Sequence, residues 1–519
     1  MFKKLLLSCL PLLLFSCGSL PDNLKAPKRE FRGFWIATVA NIDWPASAND
    51  PILKKKNDFI TLLDFYKSLN FNAAIVQIRT AGDAFYPSAF APWSRFLTGK
   101  EGEASIEYND LLHWMINETH KRGMEFHAWI NPYRATLDLN TEILSETHDY
   151  VKHPEWMVKY GKKYYYNPGL PEVQQHLKTI IGEIVNEYEI DAIHFDDYFY
   201  PYTIKEEFFN DDVSYKMYAK EVTSVENWRR NNIDSLIKST FDTIKSVKPW
   251  VAFGVSPFGV WRNRAKDPKG SDTRAGQTTF DDLYADVLTW TKKGWIDYLA
   301  PQLYWSLDYP PASHRKLMEW WTNNKKETHL YIGNGPFKIR NNADKAWNKK
   351  KELPNQLKLA RINNKVSGNI FFSAKSLKDT NADIVKYLKK KYYAYPAITA
   401  SLKEKERYNP HTPLRIKTIT LQNETYVFTL ESFPENGKQF IMYGFDSKTR
   451  IDLNSGKCIL KMGYPDNVYS ITLNKKEIKR KKVFALSYLD RFNNESTPVL
   501  FTINKAENGN FFIAKVSGQ

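Results

Sequence analysis

The sequence predicts an α/β fold, a (β/α)8 or TIM barrel, followed by a small C-terminal β-sandwich. From Phe31 to Lys391, eight short apolar runs alternate with longer amphipathic runs, the pattern of parallel strands connected by helices. Beyond residue 413, short alternating runs separated by Asn, Gly and Pro are typical of antiparallel sheets. Eight strand–helix units favour a closed barrel. A doubly wound open sheet is the alternative, because periodicity does not reveal strand order.

The predicted barrel occupies residues 30–393, and its strands are apolar runs rich in branched and aromatic residues. They span Phe31–Val39, Ala73–Ile78, Met124–Ile130, 190–195, Trp250–Val255, Ile296–Gln302, Leu330–Gly333 and Gly368–Phe372. The helices that follow them are expected near 56–69, 109–122, 171–188, 226–247, 281–293, 312–325, 344–364 and 375–391.

The N-terminus predicts export and lipidation. Two lysines precede an apolar run that ends in Leu14-Phe15-Ser16-Cys17, which resembles a bacterial lipobox. We therefore expect a signal peptide at 1–16, a lipid anchor at Cys17 and a tether at 17–29. Gly18 is not the aspartate that commonly retains lipoproteins in an inner membrane, which favours the outer membrane. A plain signal peptide with an incidental cysteine is the alternative.

Residues 394–413 are polar and predict a linker, and residues 414–519 predict the β-sandwich module. The module resembles a fibronectin type III domain in its length and in its short alternating strands. Packing and spacing is the simplest role for such a module, and glycan binding is the alternative.

The chain is strongly basic, with a net charge of +16 and a pI near 9.3. Removal of residues 1–16 takes away two lysines and leaves +14. Such a charge suits nucleic acid, an anionic envelope surface or an acidic glycan. We expect no nucleic-acid partner, because the basic residues are dispersed and the protein is predicted to be exported. The histidines lack a metal-binding spacing, so no metal or other cofactor is expected.

The fourth predicted strand ends in two adjacent carboxylates, Asp196 and Asp197, at the barrel face that carries active sites. Glycoside hydrolysis uses a carboxylic acid and a second carboxylate, so both residues are predicted to be catalytic. Strand alternation predicts that Asp196 faces the barrel axis with His194 and Tyr198, while Asp197 points toward the rim. Adjacent carboxylates rarely serve one bond together, and we expect Asp196 to need a partner from another strand.

Three acids near other strand ends could be that partner. Asp43 follows the first strand, Asp83 the second and Asp308 the sixth. For each of them taken alone, a cap of a loop or turn is the commoner role. Asp43 is the predicted catalytic partner, and Asp83 is assigned to substrate binding.

Aromatic, basic and amide side chains lie at the same predicted face and could bind a glycan. Ring faces stack on sugars, arginines bind carboxylates, and amides bind hydroxyl or acetamido groups, although any one of these residues could simply be part of the core. The predicted substrate-binding residues are Trp35, Arg79, Asp83, Trp129, Asn131, Arg134, His194, Tyr198, Gln302, Tyr304 and Trp305.

Several motifs together resemble the bacterial glycosyl hydrolase-like family 10, formerly a domain of unknown function. The matching stretches are 32–35, 41–45, 82–88, 128–134, 194–201, 254–259 and 297–305, in family order. The resemblance implies a (β/α)8 glycosidase domain with sites at Asp43, Asp83, Asp196 and Asp197. It also implies similarity to lipoprotein glycosidases that cleave denuded peptidoglycan, whose stem peptides have been removed.

The expected function is therefore hydrolysis of a cell-envelope glycan, most specifically denuded peptidoglycan. Such a strand is a polyanion, because each muramic acid has a free lactyl carboxylate, and a basic protein would attract it. Chitinase-like enzymes end the fourth strand in Asp-x-Asp-x-Glu, whereas His194, Asp196 and Tyr198 stand here. Two alternatives stay open: a non-catalytic envelope glycan-binding lipoprotein, and a glycosidase for another acidic polysaccharide.

Overall fold

Eight parallel strands close into a barrel in the computed structural model, which describes residues 22–219, 224–402, 412–507 and 510–516. The strands are β1 Phe31–Ile36, β2 Ala73–Arg79, β3 Glu125–Ile130, β4 Ala192–Phe195, β5 Ala252–Val255, β6 Tyr298–Leu299, β7 His329–Asn334 and β8 Gly368–Phe371. They pair in chain order, and β1 pairs with β8 from Phe31 opposite Gly368 to Phe34 opposite Phe371. The predicted barrel is confirmed, and the open sheet is excluded.

A long helix covers the outside of the barrel after each strand. These helices are α1 Ile52–Ser68, α2 Leu111–Lys121, α3 Pro171–Glu187, α4 Val225–Val247, α5 Val287–Lys293, α6 His314–Asn324, α7 Glu352–Ile362 and α8 Ala382–Lys391. The helix expected at 281–293 begins only at Val287, where the Asp286 carboxylate caps the Thr289 amide. The helix expected at 375–391 is divided into Ala374–Lys378 and α8.

The long connections at the C-terminal ends of the strands carry additional short elements. The connection from β3 to α3 contains an antiparallel hairpin, Met157–Tyr160 with Lys163–Tyr166. Short helices also lie at Arg95–Thr98, Asp149–Lys152 and Asp212–Tyr218. These insertions build the walls around the barrel mouth, which the sequence predicts as the active-site face.

The interior of the barrel is filled by aromatic and small apolar side chains, including Phe31, Trp35, Trp129, Tyr298 and Tyr331. Two side chains from beyond the barrel complete this cluster at its floor: Leu402 of the linker and Phe492 of the C-terminal module. The barrel is therefore a packed core that opens only at its mouth.

The C-terminal module is an antiparallel sheet that folds into two facing halves. Its strands are β9 Ile416–Gln422, β10 Thr425–Leu430, β11 Gly437–Phe445, β12 Ile459–Gly463, β13 Ser470–Asn474, β14 Val483–Asp490, β15 Val499–Lys505 and β16 Phe511–Lys515. The strand order is β12-β11-β14-β15-β16-β9-β10-β13. Phe428 of β10 packs on Phe501 of β15 with ring centroids 6.4 Å apart, which brings the halves together as a β-sandwich. The fibronectin type III likeness stays a prediction.

The module is docked on the barrel floor, and the end of the predicted tether is part of that contact. Ala26 is buried, and its carbonyl accepts a hydrogen bond from the Gly456 amide of the module. Arg29 forms a bridge with Ile398, at the start of the predicted linker. Residues 26–29 are thus fixed against the folded domains. The predicted signal peptide and Cys17 lie outside the described residues.

The described residues include no helix that is long and apolar enough to cross a membrane.

Candidate active site

A cavity of about 220 Å³ opens at the mouth of the barrel. Its walls combine carboxylates, one arginine, amides and aromatic rings. It is lined by Trp35, Ala37, Val39, Ile42, Gln77, Trp129, Asn131, Arg134, Asp196, Asp197, Tyr198, Tyr202, Ser256, Gln302, Tyr304 and Phe372.

Asp196 and Asp197 both line this cavity, and their partners differ. The Asp196 Oδ1 accepts hydrogen bonds from the Gln302 side-chain amide at 3.0 Å and from the Asp197 backbone amide at 2.8 Å. The Asp197 Oδ2 accepts a short hydrogen bond from the Tyr202 hydroxyl. Asp196 is therefore held by two N–H donors that favour its ionised form.

Burial raises the pKa of both carboxyl groups, and the effect is larger for Asp197. The pKa of Asp197 lies well above the ordinary range because of burial and of the neighbouring Asp196 charge. Burial also raises the pKa of Asp196, but the Asp197 amide, Arg134 and Gln302 oppose that rise. Two close carboxylates do not both ionise readily, so the surroundings favour a single shared proton and favour its place on Asp197.

The position of Asp197 differs from the sequence expectation. Alternation assigns it to the rim, whereas its side chain lines the cavity and is only 2% exposed. Strand β4 ends at Phe195, so the two aspartates follow the strand in loop conformation. Strand alternation therefore no longer separates their side chains.

Arg134 supplies the positive charge of the cavity. Its guanidinium carbon lies 4.1 Å from the centre of the Tyr198 ring, and its Nη1 makes only a long 3.4 Å contact to the Thr80 carbonyl. The Arg134 Nε is buried without a hydrogen-bond partner, and the described residues give this arginine no ion pair. Arg134 thus acts on Asp196 through its charge alone, and its guanidinium N–H groups stay available to an anionic group of a ligand.

The other predicted residues that line the cavity are aromatic or amide side chains: Trp35, Trp129, Asn131, Tyr198, Gln302 and Tyr304. The Trp129 indole N–H donates to the Asn131 Oδ1 at 3.1 Å, which fixes both side chains. The cavity thus offers ring faces and polar contacts together, as sugar-binding sites do.

Asp43 and Asp83 lie outside the cavity lining, and their carboxylates are occupied by the protein. Asp43 accepts hydrogen bonds from the Ala37 amide at 2.9 Å, the Ser373 hydroxyl at 2.7 Å and the Lys375 amide at 3.0 Å. Asp83 accepts from the Thr80 hydroxyl at 2.8 Å and the Ala81 amide at 2.9 Å. Both placements match the loop-cap alternative, and neither carboxylate lines the cavity beside Asp196.

Three further residues assigned to the substrate are placed behind the cavity wall. The Arg79 guanidinium is buried and donates to the Tyr166 hydroxyl at 3.1 Å, which ties β2 to the hairpin. Trp305 packs edge-on against Phe258. His194 is completely buried beneath Trp35, whose indole N–H donates to the His194 Nε2 at 3.1 Å.

Gln77 and Tyr202 are cavity residues that the sequence-based prediction missed. The Gln77 Oε1 accepts from the Thr38 and Val39 amides, and its Nε2 is buried without a partner. A glutamine inside a buried apolar strand was the available signal for Gln77. Tyr202 lies beyond the end of the strand, where sequence pattern does not determine side-chain direction.

Within the described ranges, no group of three or more His, Cys, Asp or Glu side chains is arranged to hold a metal ion.

Comparison with known protein families gives a match to the model described as Glycosyl hydrolase-like 10 over residues 30–349. This range contains seven of the eight strands and every cavity residue except Phe372.

Two curated relatives are similar over most of their length. The chain is 44% identical to "Glycosyl hydrolase YngK" of Bacillus subtilis (strain 168), over 79% of this chain and 81% of the relative. It is 36% identical to "Glycosyl hydrolase DigH" of Escherichia coli (strain K12), over 75% of this chain and 97% of the relative. Among solved structures, the PgaB (BpsB) glycoside hydrolase domain from Bordetella bronchiseptica aligns with a TM-score of 0.45 and 10% identity, over 70% of this chain and 98% of that one.

Proposed function

We propose that this chain, which belongs to the glycosyl hydrolase-like 10 family and is a glycoside hydrolase, acts on peptidoglycan. The proposed substrate is the peptide-free glycan strand. The observation that carries the proposal is the position of Arg134. A buried guanidinium without a direct ion pair lines the same cavity as the Asp196–Asp197 carboxyl pair. A neutral glycan would offer no anionic group to the free N–H groups of this cation.

The anionic group of the proposed substrate is the lactyl carboxylate of muramic acid. It is free only after the stem peptide has been removed, since the peptide is attached through that carboxyl group. A bidentate or single hydrogen bond from Arg134 to this carboxylate would give the guanidinium a direct ion pair. A peptide-bearing strand has a neutral amide in its place and would not form that ion pair.

The two carboxyl groups supply the chemistry of glycosidic cleavage. Asp197 donates its proton to the glycosidic oxygen as the bond from that oxygen to the anomeric carbon breaks. The Asp196 carboxylate stabilises the positive charge that develops on the sugar ring. Water then adds its oxygen to the anomeric carbon, and its proton returns to the aspartate pair.

The proposal is tested with purified sacculi that have been treated with an amidase or left intact. We expect the protein to release soluble glycan fragments, identified by mass spectrometry, from the amidase-treated sacculi only. The Asp196→Asn variant is the matched inactive control. Equal release from both preparations would contradict the specificity for peptide-free strands. If fragments are released only from a different acidic polysaccharide, that polysaccharide and not peptidoglycan is the substrate.

We also propose that Cys17 carries a lipid that anchors the enzyme in the cell envelope. The proposed location is the outer membrane rather than the inner membrane. The lipobox-like sequence at 14–17 supports this proposal. Metabolic labelling with a fatty acid should mark the wild-type protein and not the Cys17→Ser variant. Gradient separation of membranes should then recover the labelled protein with outer-membrane markers. An unlabelled wild-type protein would overturn the lipid anchor.

A further inference from the structure

A line of four hydrogen bonds crosses the barrel interior from the cavity to the floor. The Trp35 indole Nε1 lies 3.1 Å from the His194 Nε2, and the His194 Nδ1 lies 2.8 Å from the Tyr298 hydroxyl. The same hydroxyl lies 2.9 Å from the His127 Nδ1, and the His127 Nε2 lies 3.1 Å from the Glu125 Oε2. All five side chains are buried. We call this line the interior relay.

The direction of every bond in the interior relay follows from Trp35. An indole N–H can only donate, so the His194 Nε2 must accept and its proton must sit on Nδ1. The Tyr298 oxygen accepts the hydrogen bond from His194 Nδ1–H. The Tyr298 hydroxyl then donates its own hydrogen bond to the His127 Nδ1. His127 then carries its proton on Nε2 and donates to Glu125. Burial holds the pKa of His194 well below its usual value, which keeps this ring neutral.

The floor end of the interior relay is fixed by the linker and the C-terminal module. The Glu125 Oε1 accepts from the Lys438 ammonium at 2.8 Å, from the Thr399 hydroxyl at 2.8 Å and from the Asn493 amide at 3.1 Å. Three donors on one oxygen orient the carboxylate so that its other oxygen faces His127. The module thus completes the relay from outside the barrel.

The mouth end of the interior relay is a wall of the active-site cavity. Trp35 lines the cavity together with Asp196, and the only hydrogen bond of its indole to the described residues is the one to His194. Rotation of the indole would break that bond and leave a buried nitrogen without a partner, which is unfavourable. The interior relay therefore fixes the orientation of the Trp35 indole, whose face a bound sugar would contact.

We propose that Tyr298, His127 and Glu125 are positioning residues, which act through His194 to fix the Trp35 indole against the substrate. The inference rests on the proposed glycosidase site and extends it to residues that line no part of the cavity. Gly254 on the adjacent strand supports it, because a Cβ there would lie 1.9 Å from the Tyr298 ring. The neighbouring strand thus leaves the space that this tyrosine needs to stand between the two histidines.

The first test measures the wild-type protein without substrate. NMR of the full chain labelled with ¹⁵N-histidine reports which ring nitrogen of each imidazole carries the proton. We expect His194 in the Nδ1–H form and His127 in the Nε2–H form, assigned with His194→Gln and His127→Gln variants. The opposite tautomer at either ring would overturn the relay, whatever the substrate of the enzyme proves to be.

The second test compares Tyr298→Phe with Tyr331→Phe. Phenylalanine keeps the ring of Tyr298 and removes the hydroxyl that joins the histidines. Tyr331 is the matched control: it is buried in the same interior cluster, with its ring centre 5.1 Å from that of Tyr298, and it is not in the relay. We expect Tyr298→Phe to shift the indole N–H signal of Trp35 and to lower kcat/KM about tenfold. Tyr331→Phe should leave both unchanged.

The results separate the relay from the proposed function. Lost activity with an unmoved Trp35 signal, or a moved signal with wild-type turnover, would overturn the positioning role. If the wild type cleaves no glycan, the proposed function fails, while the tautomers and the Trp35 signal still decide whether the relay exists. If Tyr298→Phe does not fold, the wild-type tautomers remain the deciding measurement.

Discussion

Asp196 and Asp197 are adjacent in the chain, yet their surroundings favour different protonation states. Asp196 faces two N–H donors and the Arg134 charge, whereas Asp197 faces a hydroxyl and its negative neighbour. The residues of an acid pair need not come from two strands, because one shared proton makes neighbouring carboxyls chemically unequal. The predicted partner from another strand is not needed to supply the acid.

The pH dependence of activity should have both limbs above the range of ordinary carboxyl groups, whose pKa is about 3.9 for Asp. Activity falls at high pH as Asp197 loses its proton, and at low pH as Asp196 gains one. Both pKa values are raised by burial. A profile of kcat/KM against pH measures the limbs. A low-pH limb at or below the ordinary Asp pKa would contradict these directions.

Asp197→Asn should abolish activity and stabilise the protein at neutral pH. The folded-state pKa of Asp197 is raised, so stability is lost as pH rises from the unfolded pKa of about 4 toward the folded value. Asparagine removes this loss and can still donate to Asp196. We expect the Tm to rise by about 1–3 °C at pH 7.5 and not at pH 3.5, measured by calorimetry. A lower Tm at pH 7.5 would show that Asp197 is not protonated there.

Arg134→Gln should reduce cleavage of anionic glycan far more than cleavage of a neutral chito-oligosaccharide. Loss of a buried charge-assisted contact costs about 1.5–3 kcal/mol, which corresponds to roughly 10- to 150-fold in kcat/KM. The loss on the neutral substrate should stay within about threefold. Arg262→Gln is the control, because Arg262 is already paired with Asp267 and Asp281 outside the cavity. An equal loss of kcat/KM on the anionic and the neutral substrate would contradict a role of Arg134 in specificity.

Loops at the strand ends, rather than the strands themselves, determine which side chains reach the cavity. The loop after β1 is held against the segment after β8 by Asp43, which accepts from Ala37 on one side and from Ser373 and Lys375 on the other. This contact lies at the seam where the first and last strands pair. Asp43 therefore supports the Ala37–Ile42 wall of the cavity without entering it.

Asp43→Ala should destabilise the barrel more than it impairs catalysis. Three buried donors would lose their acceptor, which costs about 2–4 kcal/mol in the free energy of unfolding. The kcat of the folded protein should stay within about threefold of wild type. Denaturant unfolding and kinetics on the same preparation measure both effects. A loss of kcat beyond about a hundredfold with unchanged stability would instead support the catalytic role predicted from sequence.

The strands were predictable because burial on both faces leaves a continuous apolar run, as at Ala73–Arg79. The observed strand bounds differ from the predicted ones by a few residues, mostly at the ends. Side-chain direction beyond a strand end was not predictable. Asp197, Asp83 and Trp305 all lie in loops, where turns and individual contacts rather than strand alternation decide where each side chain points. Gln77 shows the opposite case, since its polar character inside a strand already signalled a special position.

At the scale of the whole molecule, charges buried between barrel and module hold the two together. Lys438 of the module lies 2.8 Å from Glu125 and 2.9 Å from Asp191, and the Tyr464 hydroxyl donates to Asp191 at 3.0 Å. Burial disfavours ionisation of both acids, but Lys438, together with His127 beside Glu125 and His120 beside Asp191, outweighs it and lowers their pKa values. Their contribution to stability is present above about pH 4 and is lost as pH falls through the lowered folded-state values.

Lys438→Met should weaken this junction strongly. Removing one member of a buried ionic cluster costs about 3–5 kcal/mol, because the two acids are left facing each other. Calorimetry should show a lower Tm at pH 7. Lys475→Met is the control, since Lys475 pairs with Glu424 on the exposed surface and its loss should leave the Tm close to that of the wild type. Equal Tm values for Lys438→Met and wild type would show that the cluster does not bind the module.

The packed segment at residues 26–29 also limits how far the enzyme can work from its anchor. Ala26, which is buried, is only nine residue steps along the chain from Cys17, and an extended chain spans at most about 3.6 Å per step. A lipid at Cys17 would therefore keep the barrel floor within about 30 Å of the bilayer, with the mouth turned away from it. A connecting segment of this length would restrict the anchored enzyme to the glycan strands nearest its own membrane.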